Sequence, residues 1–354
     1  MRIDAVEVHL VEVPAVDPPF RWRQGLPGSE PATTGAYLRI RTDEGVEGVA
    51  WCGRGVILSD LVDRRIRAEL VGADPLRREF LWERMWELDR IEEFPIYIHS
   101  VVDVALWDIA ARVADTSVHT LLGGYATELP AYASTVTFSS IEEYLDVADQ
   151  CLELGYPAIK LHAWGDARAD AQLITALREH VGAEIPLMYD GSAGFDLADA
   201  IYVGRALSAA DYLWYEEPMR EFNINSYARL AERVDVPLLV AETADGAHWN
   251  MADWIASGCA TFVRTEANYK AGLTGGLRVA HLAESYGLRA EVHGGGLVHA
   301  HLALAIPNTT YYESLVRANP IVREPLVGAD GLVRLPDGPG FGGPVGPDPL
   351  PWQS

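Results

Sequence analysis

At 354 residues the chain can bury a large core; it is long for one domain and short for three, so two closely packed domains are expected. An apolar content of 49% with 9% aromatic residues belongs to a globular protein and excludes a largely disordered chain. A net charge of −23 argues against nucleic acid and anionic membrane as partners, both of which it would repel, yet leaves room for a small acid bound at a local cation.

Three scattered cysteines, Cys52, Cys151 and Cys259, form no CxxC or CxxH pattern and speak for a reducing compartment rather than a disulfide framework. Met1-Arg2-Ile3-Asp4 leads straight into an alternating strand, and no later run reaches membrane-spanning length, so a cytoplasmic location is expected. Only Lys160 and Lys270 among the 28 basic residues are lysine. A lysine kept in so arginine-biased a chain points to a need for a titratable amine, which arginine cannot supply.

Residues 1 to about 52 read as antiparallel strands, with Val6, Val8 and Leu10 alternating against Glu7 and His9, and a turn at Asp43-Glu44-Gly45. Between them a Pro/Gly-rich loop, Val16 to Thr33, carries Phe20, Arg21, Trp22 and Arg23; it is either a substrate lid or a plain mobile connector. From Ser59 to about Gly124 the pattern turns helical, including the apolar run Val101 to Ile109 and the stop at Leu121-Leu122-Gly123-Gly124. A domain boundary is placed there, giving an N-terminal α+β capping domain over 1–124.

The period then changes to strand, helix, strand. Tyr132 to Val136 is a strand, Ser140-x-x-Glu143 opens a helix with capping-box spacing, and Ala158 to His162 is the next strand. Three apolar runs follow, each ending in an acid: Leu187 to Asp190, Leu213 to Glu216 and Leu239 to Glu242. The acids are spaced by 26 residues each time, the length of one strand, one helix and two loops. Thr261 to Glu266, Arg289 to His293 and Thr310 to Glu313 complete eight strands, separated where the pattern allows by a helix such as Thr274 to Tyr286. The count implies a TIM-like (β/α) barrel over 125–318, modified to (β/α)7β, with residues 319–354 as a C-terminal segment packing on the capping domain.

Three carboxylates at the same end of successive parallel strands repel one another unless they hold a cation, and all-oxygen ligation suits Mg²⁺. Asp190, Glu216 and Glu242 are therefore the expected metal ligands, the bland alternative being that each only caps its following helix. Lys160 and His162 share a strand face at the barrel mouth. Lys160 is either a base, its pKa lowered by its neighbours, or a counter-ion to Asp190. His293 and Glu266 end adjacent strands and are expected to form a general-base dyad, with the carboxylate fixing the imidazole tautomer. Glu313, if burial keeps it protonated, can donate a hydrogen bond to a substrate oxygen.

These residues carry a resemblance. Val102 to Ala110 with Leu121-Leu122-Gly123-Gly124 resembles the capping helix and its exit in the enolase superfamily, mandelate racemase subgroup, and Glu216-Glu217-Pro218 resembles that family's fourth-strand motif. The resemblance implies one Mg²⁺ on Asp190, Glu216 and Glu242, a carboxylate substrate bound to it, Lys160 and Glu313 stabilising the enediolate, His293, oriented by Glu266, working from one face and the second-strand pair Lys160 and His162 from the other, with His162 able to act as base or acid, and a homo-oligomer. Three positions depart from the family pattern: His162 stands for a second lysine, Glu266 for the usual aspartate, and Ser192 for a common asparagine. The first weakens the case for two-base racemisation.

The expected activity is dehydration of an aldonic or aldaric acid to a 2-keto-3-deoxy acid, with Arg21, Trp22 and Arg23 reaching the substrate's polar end. The alternatives are a racemase or epimerase of an α-substituted carboxylate and a non-catalytic sugar-acid-binding homologue.

Overall fold

The computed structural model describes residues 1–347. Its N-terminal part is a meander, β1 (Ile3–Val13), β2 (Thr33–Thr42) and β3 (Glu47–Cys52), paired antiparallel in that order. Alternation along β2 turns Ala36, Leu38 and Ile40 inward. Helix α1 (Gly55–Leu61) runs through a π turn (Val62–Ile66) into α2 (Arg67–Leu70), followed by α3 (Arg78–Glu92), α4 (Ile96–Val113) and α5 (Val118–Leu122). Helix α4 is buried on nearly every side, from Ile98 to Ala111, between the meander and the second domain.

The second domain alternates without a break: β4 (Leu129–Thr135), α6 (Ile141–Glu153), β5 (Ala158–His162), α7 (Ala167–Val181), β6 (Leu187–Asp190), α8 (Leu197–Ala209), β7 (Trp214–Glu216), α9 (Ile224–Ala231), β8 (Leu238–Val240), α10 (Ala247–Ala256), β9 (Phe262–Thr265), α11 (Gly272–Ser285), β10 (Arg289–Val292), α12 (Leu297–Ala305) and β11 (Tyr312–Val316). The strands pair in parallel in the order β10-β9-β8-β7-β6-β5-β4-β11. This is a (β/α)7β barrel with a capping domain. Among the described residues no ladder joins β10 to β11. Side chains cross that seam instead: Glu291 Oε2 accepts from the Thr310 amide (3.0 Å) and Thr309 Oγ1 (3.2 Å), and Glu313 Oε2 accepts from the Gly294 amide (2.9 Å).

Local signals account for the starts of elements. Ser140 Oγ accepts from the Glu143 amide, while the Glu143 carboxylate returns to the Ser139 amide (2.9 Å), one residue earlier than a simple capping box places it. The eighth strand begins later than expected, so Glu313 is its second residue and lies in register with Tyr132 rather than at the rim.

The domains are joined by buried hydrogen bonds. Asp103 of α4 accepts from the Thr274 amide (2.9 Å) and Oγ1 (2.6 Å), and Trp107 Nε1 donates to the same Oγ1 (2.9 Å). Gly272 permits this approach, since a Cβ there would stand 2.3 Å from Asp103 Oδ2. Beyond residue 318 the chain adds β12 (Leu332–Val333) antiparallel to β4, and the Gly340 carbonyl accepts from the Val118 amide (2.8 Å). Val333 and Phe341 of this segment are fully buried. The three cysteines are buried and unpaired, and no helix among the described residues is long and apolar enough to cross a membrane.

Candidate active site and metal centre

The barrel interior is layered by strand parity. Ala158, Met188, Trp214 and Phe262, joined by Tyr132 and Leu239, form a small apolar plug. Two residues further along their strands, on the same face, come Lys160, Asp190, Glu216 and Arg264. A greasy floor therefore carries a charged layer, and the one turns into the other within a single pleat.

Glu242 reaches this layer by a backbone device. The strand β8 ends at Val240, and simple alternation from the inward Leu239 would turn Glu242 away. Ala241 adopts φ 67°, a left-handed conformation that costs a non-glycine residue about 1–3 kcal/mol unless its surroundings hold it. Lys270 holds it. Its buried ammonium donates to the carbonyls of Ala241 (2.7 Å), Glu242 (2.8 Å) and Ala244 (2.9 Å), while Glu221 accepts from the amides of Ala241 and Thr243.

The expected ligands are divided between two overlapping clusters that share Glu242. One atom each from Asp190, Glu217 and Glu242 lie within 4.8 Å of one another, as do atoms of Glu216, Glu242 and His293. Glu242 belongs to both sets, and its buried Oε2 has no hydrogen-bond partner. Burial, with Glu216 and Asp190 alongside, drives the Glu242 carboxyl well above the usual range; burial with Glu242 and Glu221 does the same to Glu217. An acid cluster that resists full ionisation around an orphaned oxygen suits a hard divalent cation. Glu217 entered the sequence reading only as part of a motif; its position beside Glu216 was the signal.

Lys160 lies 2.9 Å from Glu216 Oε2, 2.9 Å from Glu313 Oε1 and 3.4 Å from Asp190 Oδ2. Burial alone would lower its pKa, but Glu216 and Glu313 raise it well above the ordinary lysine value. The expectation of a pKa lowered by its neighbours is corrected, since Glu216 and Glu313 favour the ammonium against desolvation. Glu313 is likewise held as a carboxylate. Burial opposes its ionisation, yet Lys160, Arg264 and His293 pull its pKa well below the usual range, so the protonated donor expected from burial is not what these neighbours favour.

His162 sits at 3.0 Å from Asp190 Oδ2 through Nε2, and its Nδ1 donates to the Thr135 carbonyl (2.6 Å), which can only accept. Burial raises the Asp190 carboxyl, but His162 and Lys160 prevail and hold it low. Trp22 of the capping loop packs on the His162 ring at 4.5 Å between centroids. Arg23 ties the loop to the barrel, Nε donating to the Ser192 carbonyl (2.9 Å) while Nη1 donates to the loop's own Gln24 carbonyl (2.9 Å), and Arg21 is exposed, meeting the barrel through its carbonyl, which accepts from the Thr137 amide (2.9 Å).

His293, about a quarter exposed, places Nδ1 at 3.2 Å from Glu313 Oε2 and 3.3 Å from Glu242 Oε2, off the axis of a good hydrogen bond. Burial lowers its pKa, but Glu313 and then Glu266 raise it above the ordinary histidine value. The expected direct dyad with Glu266 does not form. The Glu266 carboxylate is taken by the amides of Tyr269 (2.6 Å) and Asn268 (3.3 Å) and lies 3.6 Å from Nε2 of His299, a histidine the sequence did not single out. Rim adjacency was legible; the turn that captures the carboxylate was not.

Residues 6–123 match the family described as mandelate racemase / muconate lactonizing enzyme, N-terminal domain, and residues 143–348 match the enolase C-terminal domain-like family. The chain is 29% identical to a 3,6-anhydro-alpha-L-galactonate cycloisomerase from Streptomyces coelicolor, over 86% of this chain and 87% of that one. It is 27% identical to L-talarate/galactarate dehydratase from Salmonella typhimurium, over 96% and 88%. The crystal structure of a D-glucarate dehydratase from Agrobacterium tumefaciens complexed with magnesium superposes with a TM-score of 0.88 at 30% identity, covering 97% of this chain and 96% of that one.

Proposed function

The chain belongs to the mandelate racemase subgroup of the enolase superfamily, and from that premise we propose that it is a Mg²⁺-dependent dehydratase of an aldonic or aldaric acid. Asp190, Glu216 and Glu242 would hold the ion, which when bound supplies positive charge against the carboxylate of the substrate. The remaining work falls to side chains of the chain. His293, its Nδ1 facing Glu313 (3.2 Å) and Glu242 (3.3 Å), would use Nε2 to take the proton α to the carboxylate. Lys160, whose ammonium form Glu216 and Glu313 favour, would bring positive charge to the place where negative charge develops. The 3-hydroxyl would leave as water with a proton given by His293, which has just taken the α-proton, and the resulting enol would tautomerise to the 2-keto-3-deoxy acid.

The observation that carries elimination over racemisation is the state of His162. Racemisation needs a second base on the opposite face, whereas His162 Nε2 is engaged by Asp190 at 3.0 Å and its ring is covered by Trp22. Elimination and racemisation give different products. Proton NMR in D₂O distinguishes them: the proposal expects a 2-keto-3-deoxy product from one aldonate or aldarate and loss of that activity in His293→Asn. Deuterium entering at C2 without elimination would instead identify a racemase or epimerase and restore His162 as the second base.

A further inference from the structure

A fully buried arginine is rare and needs charged partners. Arg264 is 0% exposed and meets three acids of the site from three different barrel segments. Its Nε donates to Glu216 Oε1 and stands 3.8 Å from Glu242 Oε2, and Nη2 reaches Glu313 Oε2 at 3.5 Å and the Tyr132 hydroxyl at 3.0 Å. Nη1 donates to the Val292 carbonyl (3.2 Å), which places the guanidinium across the seam between β10 and β11. Lys160 occupies the other oxygen of Glu216 at 2.9 Å. Both oxygens of an expected metal ligand are therefore already paired with fixed cations.

We propose that Arg264 is a positioning residue of the metal centre: its guanidinium stands in for part of the metal's charge, holding Glu216 and Glu313 in place without the ion and weakening the ion's binding when it enters. This inference rests on the reading of the site as a Mg²⁺ centre. Its physical basis is Coulombic. Asp190, Glu216, Glu242 and Glu313 gather in a space from which water is largely excluded, and a permanent positive charge among them lowers the repulsion that a divalent ion would otherwise relieve. The same charge repels the arriving ion and competes for Glu216. Lysine at this position would keep the charge but lose the planar fork that spans Glu216, Tyr132 and the Val292 carbonyl.

The test is Mg²⁺ binding by isothermal titration calorimetry, with thermal unfolding of chelator-treated protein, on the parent, Arg264→Met and Arg264→Lys. Arg264→Met is expected to melt below the parent without metal, to bind Mg²⁺ on the order of tenfold more tightly, and to show a larger upward shift in melting temperature on adding the ion. Arg264→Lys is expected to bind Mg²⁺ within about threefold of the parent, because the charge is kept. A folded Arg264→Met protein with unchanged or weaker affinity overturns the inference and leaves Arg264 as a staple for the seam. If Arg264→Met does not fold, Arg264→Lys decides: affinity near that of the parent supports the role of the charge, and a tenfold loss overturns it. A parent that takes up no Mg²⁺ overturns the reading of the site itself, which the variants' behaviour relative to a binding parent does not.

Discussion

Lys160 Nζ and Glu313 Oε1 stand 2.9 Å apart, both buried, and tie the second barrel strand to the last. Breaking such a pair from one side leaves an uncompensated charge in the interior, at a cost of about 3–5 kcal/mol. Lys160→Met is expected to lose about that much stability, and Glu313→Gln less, because Arg264 and His293 lose one acid partner rather than their only one. In chemical denaturation the double variant should lose about 1–3 kcal/mol less than the sum of the two. Simple additivity would mean that the pair is not coupled.

His99 tests the capping domain by pH. It is 1% exposed, packs on Trp86 at 4.4 Å between ring centroids, and has no hydrogen-bond partner on either ring nitrogen. Burial pushes its pKa down from 6.5 to about 4. Because the folded value lies below the unfolded one, the unfolded chain binds the extra proton first; stability is lost as pH falls from about 6.5 toward 4. His99→Phe removes that term. The variant's melting temperature relative to the parent should rise between pH 7 and pH 5, and a constant difference across that range would contradict the assignment.

Lys270 predicts a metal phenotype without touching a ligand carboxylate, since it meets Glu242 only through the backbone carbonyl. Its three hydrogen bonds pin the loop that turns Glu242 inward. Lys270→Met should leave the far-ultraviolet circular dichroism close to that of the parent while weakening Mg²⁺ binding by about 10–100-fold, the usual effect of removing a group that orients a ligand. Unchanged affinity would show that Ala241 keeps its conformation unaided.

How much of this was readable in advance follows from which physics sets each feature. The 26-residue spacing of Asp190, Glu216 and Glu242 reported barrel units directly, since strand, helix and loop lengths are narrowly bounded. Arg264 was also accessible, two residues after Phe262 on the same strand face, but an arginine in an arginine-rich chain drew no notice. The strand pattern alone gives an incomplete reason for Glu242 to face the other acids: parity turns it outward, and only the left-handed Ala241, held by Lys270 and Glu221, brings it back. The partner of His293 was beyond reach because it depends on where the turn at Asn268 and Tyr269 places two amides, and on the register that sinks Glu313 to the level of Tyr132. Pairwise adjacency of strand ends cannot resolve either.

The most direct measurement is proton NMR of the Mg²⁺-loaded protein in D₂O with a panel of aldonates and aldarates, beside a chelator-treated control and His293→Asn. The account predicts metal-dependent conversion of one panel member to its 2-keto-3-deoxy acid, absent from both controls. Conversion that survives either control, or deuterium exchange at C2 with no elimination anywhere in the panel, would contradict it.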